Sequence, residues 1–161
     1  MRVNYKALNR ITIKNKFPMP QVENLFNKVQ DSTYFGRIDP KSGYHQIRIV
    51  YEDIIKTTFC TKFCLYRAMP FGLINAPATF NFMMKEIFWP YRKFTRVFFD
   101  DVIIYSKSIE EHKEHLKVIF QALRDNMLYV NQKKSEFYLQ QTQFSSHVIS
   151  KTGICMDPKK L

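Results

Sequence analysis

Val97-Phe98-Phe99-Asp100-Asp101-Val102-Ile103-Ile104-Tyr105 sets two adjacent acids inside a run of β-branched and aromatic residues. A run of that composition is what a buried strand is made of, and the acids interrupt it at its middle. The stretch therefore reads as two apolar strands meeting in a hairpin, with Asp100 and Asp101 at the tip. Asp-Asp alone is ordinary turn chemistry, because aspartate tolerates the backbone angles of a tight turn. A third acid changes the weighing. Tyr34 to Ile38 reads as a separate short strand, and Asp39 ends it.

Outward from this hairpin the two periods of secondary structure alternate. Residues 20–30 carry Val22, Leu25, Phe26 and Val29 at helical spacing behind Pro20. Lys41-Ser42-Gly43 reads as a turn, and residues 44–49 and 56–66 as β-rich stretches without helical spacing. Pro70-Phe71-Gly72 is a breaker, and Asn75-Ala76-Pro77 starts a helix that stops before Pro90. Its apolar face is Phe80, Met83, Met84, Ile87 and Phe88. Ser108-x-x-Glu111 is a capping box for a further long helix, with Leu116, Ile119, Phe120, Leu123 and Met127 inward. Leu128-Tyr129-Val130 and Gln143 to Ile149 look like strands, and Gly153 marks a turn. From 34 to 130 the order is strand, insertion, helix, strand, strand, helix, strand. That is a split β-α-β plan, two helices on one face of an antiparallel sheet, so the fold class is α+β. In it, the strand ending at Asp39 and the Asp100-Asp101 tip lie side by side.

The chain has 161 residues, of which 45% are hydrophobic and 16% aromatic, enough for one ordinary core and too apolar for disorder. Its formal charge is +11, which favours a polyanionic partner over a neutral metabolite. No apolar run approaches the roughly 20 residues of a membrane span, and no secretory leader follows Met1. The 3 cysteines are odd in number and irregularly spaced, which argues against a disulfide framework.

Three carboxylates within a few ångströms repel one another and raise each other's proton affinity unless a cation neutralises them. Magnesium suits hard carboxylate oxygens and leaves positions open for water and phosphate. A pair of such ions stabilises the attacking and leaving oxygens of an in-line phosphoryl transfer. In a strongly basic protein, that chemistry points to a nucleic-acid substrate.

Four ordered stretches bear out this direction by resemblance. Asp39-Pro40-Lys41-Ser42-Gly43-Tyr44-His45-Gln46-Ile47, Met69-Pro70-Phe71-Gly72-Leu73, Asn75-Ala76-Pro77-Ala78-Thr79-Phe80 and Phe98-Phe99-Asp100-Asp101 look like the reverse transcriptase of gypsy-type long-terminal-repeat retrotransposons. The similarity runs from Asn4-Tyr5-Lys6-Ala7-Leu8-Asn9 to His147-Val148-Ile149-Ser150. The resemblance implies an RNA-directed DNA polymerase, its palm and part of its fingers. Residues 1–33 and about 44–75 would be fingers-like, 34–43 and 76–135 palm, and 136–161 palm and primer-grip hairpin. It implies that Asp39, Asp100 and Asp101 are the catalytic, metal-holding acids, with Mg2+ as cofactor and Mn2+ as an alternative. Tyr44 matches the aromatic residue under the incoming sugar, and Phe71 and Gly72 the loop lining the nucleotide pocket. Lys134 matches a lysine near the triphosphate, and Phe144, Ser145, Ser146 and His147 the hairpin that grips the primer. The implied partners are an RNA or DNA template with its primer and a dNTP, with RNase H and integrase regions in the parent polyprotein. The implied location is a cytoplasmic virus-like particle for the parent retroelement, and unknown for the isolated fragment. Read without the resemblance, Tyr44 is a core tyrosine, Phe71-Gly72-Leu73 a turn and Lys133-Lys134 a solvated charge pair.

The pattern also departs from the family. The Trp-Arg pair usual upstream of the Val-Asp-Tyr-Arg segment is absent, and Asn4 and Lys6 stand where Asp and Arg are usual. The Phe59 to Met69 stretch is about two residues short, Phe99 replaces an aliphatic residue, and Ser145-Ser146 replace a Leu-Gly step. These departures carry the expectation of a Pol remnant with intact carboxylates, its activity as an isolated chain in question. A non-catalytic nucleic-acid-binding module is the alternative, since RNA-recognition domains share the split β-α-β plan and read bases on exposed sheet aromatics. His112 and His115, one turn apart beside Glu111 and Glu114, read as a solvated helix face rather than a zinc site, and Cys60 and Cys64 lack a second pair. Lys14, Lys16, Lys62, Arg67, Arg92, Lys93 and Arg96 are candidates to line a template–primer cleft.

Overall fold

The computed structural model describes residues 4–16, 29, 31–57, 68–98, 101–144, 147–151 and 153–156. The chain divides into two compact units, Met1–Met19 with Ser42–Met83, and Pro20–Lys41 with Met84–Leu161.

The second unit carries the sheet that the acids belong to. Its strands are β1 (Tyr34–Ile38), β2 (Thr95–Phe98), β3 (Asp101–Ser106) and β4 (Glu136–Leu139), hydrogen-bonded in the order β2-β3-β1-β4. Every pairing is antiparallel, and this order is the split β-α-β arrangement expected from the pattern. One element is corrected. The fourth strand is residues 136–139, not 128–130; Val130 makes only an isolated bridge to Pro40. Leu128-Tyr129-Val130 looks like a strand because Leu128 is buried, yet the segment serves the loop after β1 rather than the sheet.

The long helix (Ile109–Asp125) packs on β3 and β1. Its N-cap is Ser108, whose hydroxyl accepts the Glu111 N–H at 3.2 Å, while the Glu111 carboxylate accepts the Lys107 N–H at 2.8 Å. The capping box is thus present with its return bond shifted one residue upstream. Its buried stripe is His112, Leu116, Ile119, Ala122 and Leu123. Phe120 and Met127, expected inward, are 39% and 70% exposed. Phe120 lies one position off the stripe, about 100° around the helix, and Met127 falls beyond the helix end with φ of 53°. His112, expected on a solvated face, is fully buried.

Alternation places Phe35, Arg37, Ile103 and Tyr105 on the opposite sheet face. There Phe35, Ile103 and Tyr105 pack with Val29, Leu139 and Ile149 into one core cluster. Ile149 belongs to a three-stranded antiparallel sheet of β5 (Gln141–Phe144), β6 (His147–Ser150) and β7 (Gly153–Met156). Gly153, expected to mark a turn, opens β7 and pairs with Ser150 across the turn at Lys151. The helix expected over 20–30 lies outside the described residues except for Val29, which is helical and buried.

The first unit contains α1 (Lys6–Ile11), α2 (Tyr51–Thr57) and the start of α3 (Ala76–Phe88), which continues into the second unit. The β-rich reading of 44–49 is overturned: Gly43–Gln46 form a 3-10 turn, with His45 N–H donating to the Ser42 carbonyl and Ile47 N–H to the Tyr44 carbonyl. The reading of 56–66 fails at Lys56 and Thr57, which end α2, and its remainder lies outside the described residues. Helix α2 was missed because its apolar residues are few. Glu52 and Asp53 at its start and Lys56 at its end suit the helix dipole. Helix α3 follows the expected face, with Phe80, Met84 and Phe88 buried.

Candidate functional site

The register of β1 and β3 positions the acids. Pairs run from Tyr34↔Ser106 to Ile38↔Val102, and Asp39 and Asp101 are the next residues along the two chains beyond that last rung. Strands β2 and β3 pair as far as Phe98↔Asp101, so residues 99 and 100 alone connect them. Asp100 lies outside the described residues. Among the described residues no three metal-ligating side chains converge.

The Asp39 backbone is clasped by the turn after Val130. Asp39 N–H donates to Ser135 Oγ at 3.2 Å, and Asn131 N–H donates to the Asp39 carbonyl at 2.8 Å. Lys41 N–H donates to the Tyr129 carbonyl, and Ser135 Oγ–H to the Asn131 carbonyl at 2.9 Å. The same turn presents Lys134, whose Nζ is 3.8 Å from Asp39 Oδ2. That contact is long and Lys134 is largely exposed, so it is a mobile counter-charge rather than a fixed partner. Sequence reasoning named Lys134 but missed Ser135 and Asn131. The Asn131-x-x-x-Ser135 spacing was the trace they left, since both residue types bond turn backbone. Arg37, two residues before Asp39, reaches the Gln143 carbonyl of β5 at 3.5 Å and lies 3.8 Å from Glu136 of β4.

In the first unit, Tyr44 is part-buried between two rings, 4.9 Å from Phe71 and 5.5 Å from Phe80 by centroids. His45 also meets Phe71, at 5.0 Å. Phe71 is 55% exposed and Gly72 has φ of 101°, a backbone conformation that glycine alone adopts cheaply. The loop they form is pinned by Asn9, whose amide donates to the Gly72 carbonyl at 2.8 Å and accepts the Ile74 N–H at 2.9 Å. Asn75 does the same for the segment after α1, donating to the Ile13 carbonyl and accepting the Asn15 N–H. Asn4 Oδ1 accepts the Lys6 N–H at 3.0 Å, so the Asn in place of the usual Asp serves the start of α1.

In the expected primer-grip hairpin, Phe144 and His147 pair across β5 and β6, and Ser145 and Ser146 lie outside the described residues. Cys60, Cys64, Lys62, Arg67 and the shortened stretch between Phe59 and Met69 also fall outside, apart from Ala68. Lys14, Lys16, Arg92 and Lys93 are exposed, and Arg92 caps the exposed Trp89 ring at 4.7 Å. No described helix is long and apolar enough to cross a membrane.

The sequence profile of the family described as "Reverse transcriptase (RNA-dependent DNA polymerase)" matches residues 1–148. The chain is 38% identical over 162 residues to the "Retrovirus-related Pol polyprotein from transposon 297" of Drosophila melanogaster, covering 99% of this chain and 15% of that protein. It is 43% identical over 125 residues to an "RNA-directed DNA polymerase homolog" of Oenothera berteroana, covering 74% of this chain and 88% of that one. The transposon Tf2-3 polyprotein of Schizosaccharomyces pombe is 38% identical over 156 residues, 95% of this chain and 12% of that protein. The chain therefore spans 12–16% of the transposon polyproteins it matches. Among solved structures, it is similar to foamy viral protease-reverse transcriptase in complex with an RNA/DNA hybrid, with TM-score 0.85, 20% identity and coverage of 97% and 21%. The same protein with double-stranded DNA gives TM-score 0.87 at 20% identity, with coverage of 97% and 28%. At that identity the likeness establishes the fold, an α+β polymerase palm.

Proposed function

The chain belongs to the reverse transcriptase (RNA-dependent DNA polymerase) family, and on that premise we propose that it is the palm, with part of the fingers, of a gypsy-type retrotransposon polymerase. In this reading Asp39, Asp100 and Asp101 hold two Mg2+ ions, or Mn2+ in their place. The observation that supports it is the β1–β3 register, whose last rung, Ile38↔Val102, adjoins Asp39 and Asp101 in sequence. Two carboxylates at neighbouring strand ends, one of them 3.8 Å from the Lys134 ammonium, make a hard-oxygen donor set suited to divalent cations. When bound, the ions lower the proton affinity of a primer 3′ hydroxyl and neutralise triphosphate oxygens.

The protein's own part is placement. The Ser135 and Asn131 bonds hold the Asp39 backbone from both sides, so its carboxylate need not be reorganised at the moment of reaction. Lys134, on the same turn, supplies a proton or a positive charge to the leaving pyrophosphate. In the first unit, Tyr44 lies beneath the incoming sugar, held by Phe71 and Phe80, and excludes a 2′ hydroxyl. Phe71 and Gly72 line the nucleotide pocket, and Phe144 to His147 hold the primer end. The substrates are a template with primer and a dNTP; the remainder of a polyprotein supplies RNase H and integrase functions in a cytoplasmic particle.

The base-stacking alternative has little surface to act on. Phe35 and Tyr105 are buried on one sheet face, and the long helix covers the other. Two measurements test the polymerase reading. Mn2+ should broaden the amide resonances of Ile38, Asp39 and Val102 in the chain and not in Asp101→Asn. Primer extension on an RNA template with Mg2+ should be lost in Asp100→Ala. Broadening that survives Asp101→Asn, or extension equal in Asp100→Ala, sinks the assignment.

A further inference from the structure

Ser106, His112 and His115 form a polar chain at the far end of β3 from Asp101, and nothing in the polymerase reading uses it. His112 is 0% exposed on the sheet-facing stripe of its helix. Its Nδ1 lies 2.9 Å from Ser106 Oγ, and the Nδ1 of His115 lies 2.8 Å from the same oxygen. His112 Nε2 is buried with no hydrogen-bond partner. It faces Gly36 of β1, where an added Cβ would sit 3.3 Å from it.

A hydroxyl carries one proton, which limits how the two rings can share Ser106. If both rings donated, the Ser106 proton would be left unmade in the interior. If His112 accepted, its own proton would sit on Nε2 as a buried donor facing glycine backbone. Orphaned buried N–H groups are rarer and costlier than bare acceptors. The remaining arrangement has His112 Nδ1–H donating to Ser106, Ser106 donating to His115 Nδ1, and His115 Nε2–H turned toward Glu111. Glu111 Oε1 lies 3.8 Å from that nitrogen, and its other oxygen accepts the Lys107 N–H.

We propose that Ser106, His112 and His115 form an acid-sensitive lock that holds this helix on β3 and β1 while both imidazoles are neutral. A proton on His112 would place Nε2–H and a charge against Gly36 and Leu116, with no acceptor. A proton on His115 would remove the lone pair that takes the Ser106 hydroxyl. The groups facing the pair are few. Glu111 is the anion on their own helix, and β3 contributes Ser106 and the Tyr105 carbonyl. From β4 the Tyr138 ring stands edge-on to His112 at 5.4 Å, and Phe94 stacks on His115 at 3.7 Å. From strand β1, Gly36 faces His112 and Tyr34 is the cross-strand partner of Ser106. Burial pushes the His112 imidazolium down to about 4, with His115 adding to the effect and Glu111 opposing it. Burial lowers His115 as well, against Glu111 and the Tyr105 backbone.

The sign follows. A base whose proton affinity is lowered by folding leaves the folded state intact above its unfolded value and weakens it as pH falls. The loss begins near 6.5 and is complete near 4, a factor of ~300 in the folding equilibrium constant for His112 alone. Because β3 begins at Asp101 and β1 leads into Asp39, release of the helix reaches both acids through the strands that carry them.

Long-range 1H–15N NMR on the chain at pH 7.5 should find the His112 proton on Nδ1 and the His115 proton on Nε2. A His112 proton on Nε2 overturns the chain of bonds. Followed downward in pH, His112 should titrate near 4, together with loss of amide protection along the helix. Titration near 6.5 with the helix still protected overturns the lock without touching the metal site. Urea unfolding from pH 7 to 4 gives the independent arm. The steep fall in the wild type should shrink at least tenfold in His112→Leu, and equal falls in both proteins would refute the proposal.

Discussion

Gly43→Ala is the sharpest test of how the aromatic cluster around Tyr44 is held. An ideal Cβ on Gly43 would lie 2.7 Å from Phe80 Cζ and 2.8 Å from Cε2. Carbon atoms pack at roughly 3.5–4.0 Å, so the ring must retreat by about 1 Å. Phe80 is fully buried, and Tyr44 stands edge-on against it at 5.5 Å. Overpacking of that kind in a buried cluster costs ~1–3 kcal/mol. The backbone adds nothing to the penalty, since Gly72 alone among the described glycines has positive φ. Alanine instead restricts the unfolded chain, a gain of about 0.4–1 kcal/mol. The net expectation is a loss of ~1–2 kcal/mol, read by urea unfolding at neutral pH. Phe80→Leu removes the atoms that clash. In that background Gly43→Ala should be neutral or slightly stabilising, giving a coupling of ~1–2 kcal/mol in a double-mutant cycle. An equal cost in both backgrounds would show that the clash is not with Phe80. In primer extension, Gly43→Ala should raise the KM for dNTP more than it lowers kcat, because the ring it displaces supports Tyr44.

The other expectations concern the acids and the elements that present them. Asp101→Asn removes one of the carboxylates proposed to hold the ions, so the dependence of melting on divalent ions should go with it. Added Mg2+ should raise the wild-type Tm and leave the variant's unchanged; equal shifts would place the ion elsewhere. Ser135→Ala takes away the acceptor of the Asp39 N–H, at a cost of ~1 kcal/mol. Faster exchange of the Asp39 amide checks it, and unchanged exchange would show that the clasp is dispensable. Ser108→Ala should cost ~1 kcal/mol by uncapping the long helix. The loss should appear in Tm at pH 7, and a change within error would mean that the Glu111–Lys107 bond caps the helix unaided.

The strands and helices of the second unit were legible where periodicity was strong. The β3 run is apolar on both faces because one face meets the helix and the other packs with Phe35 and Ile149. That double burial is why it appears as a continuous hydrophobic stretch. Strand β4 was missed because Glu136-Phe137-Tyr138-Leu139 looks no more β-like than Leu128-Tyr129-Val130, and which of them pairs with β1 depends on long-range register. A bulge between Phe35 and Arg37, and the positive φ of Tyr138, mark how irregular that pairing is. The 3-10 turn at Gly43–Gln46 hides in an alternating sequence, because Tyr44 and Ile47 are apolar for reasons of aromatic packing rather than pleat. The histidines misled for a similar reason. Flanking Glu111, Lys113 and Glu114 make the segment look solvated, while only the stripe spacing to Leu116 and Ile119 places His112 inside.

Placement of the acids at strand ends follows from the same packing. Within the ladder every rung from Tyr34↔Ser106 to Ile38↔Val102 is covered from at least one side, and Phe35, Ile38, Val102 and Ile104 are fully buried. A carboxylate at Ile38, Val102 or Ile104 would be desolvated without a partner, a cost of several kcal/mol. Asp39, just past the last rung, keeps 27% of its side chain exposed. The buried rungs give stiffness and the strand ends give the charge. A single-residue slip of β1 against β3 would turn Asp39 to the other face and break both. The buried pairs Ile38↔Val102 and Gly36↔Ile104 make that slip costly, so the apolar register fixes which residues stand at the strand ends.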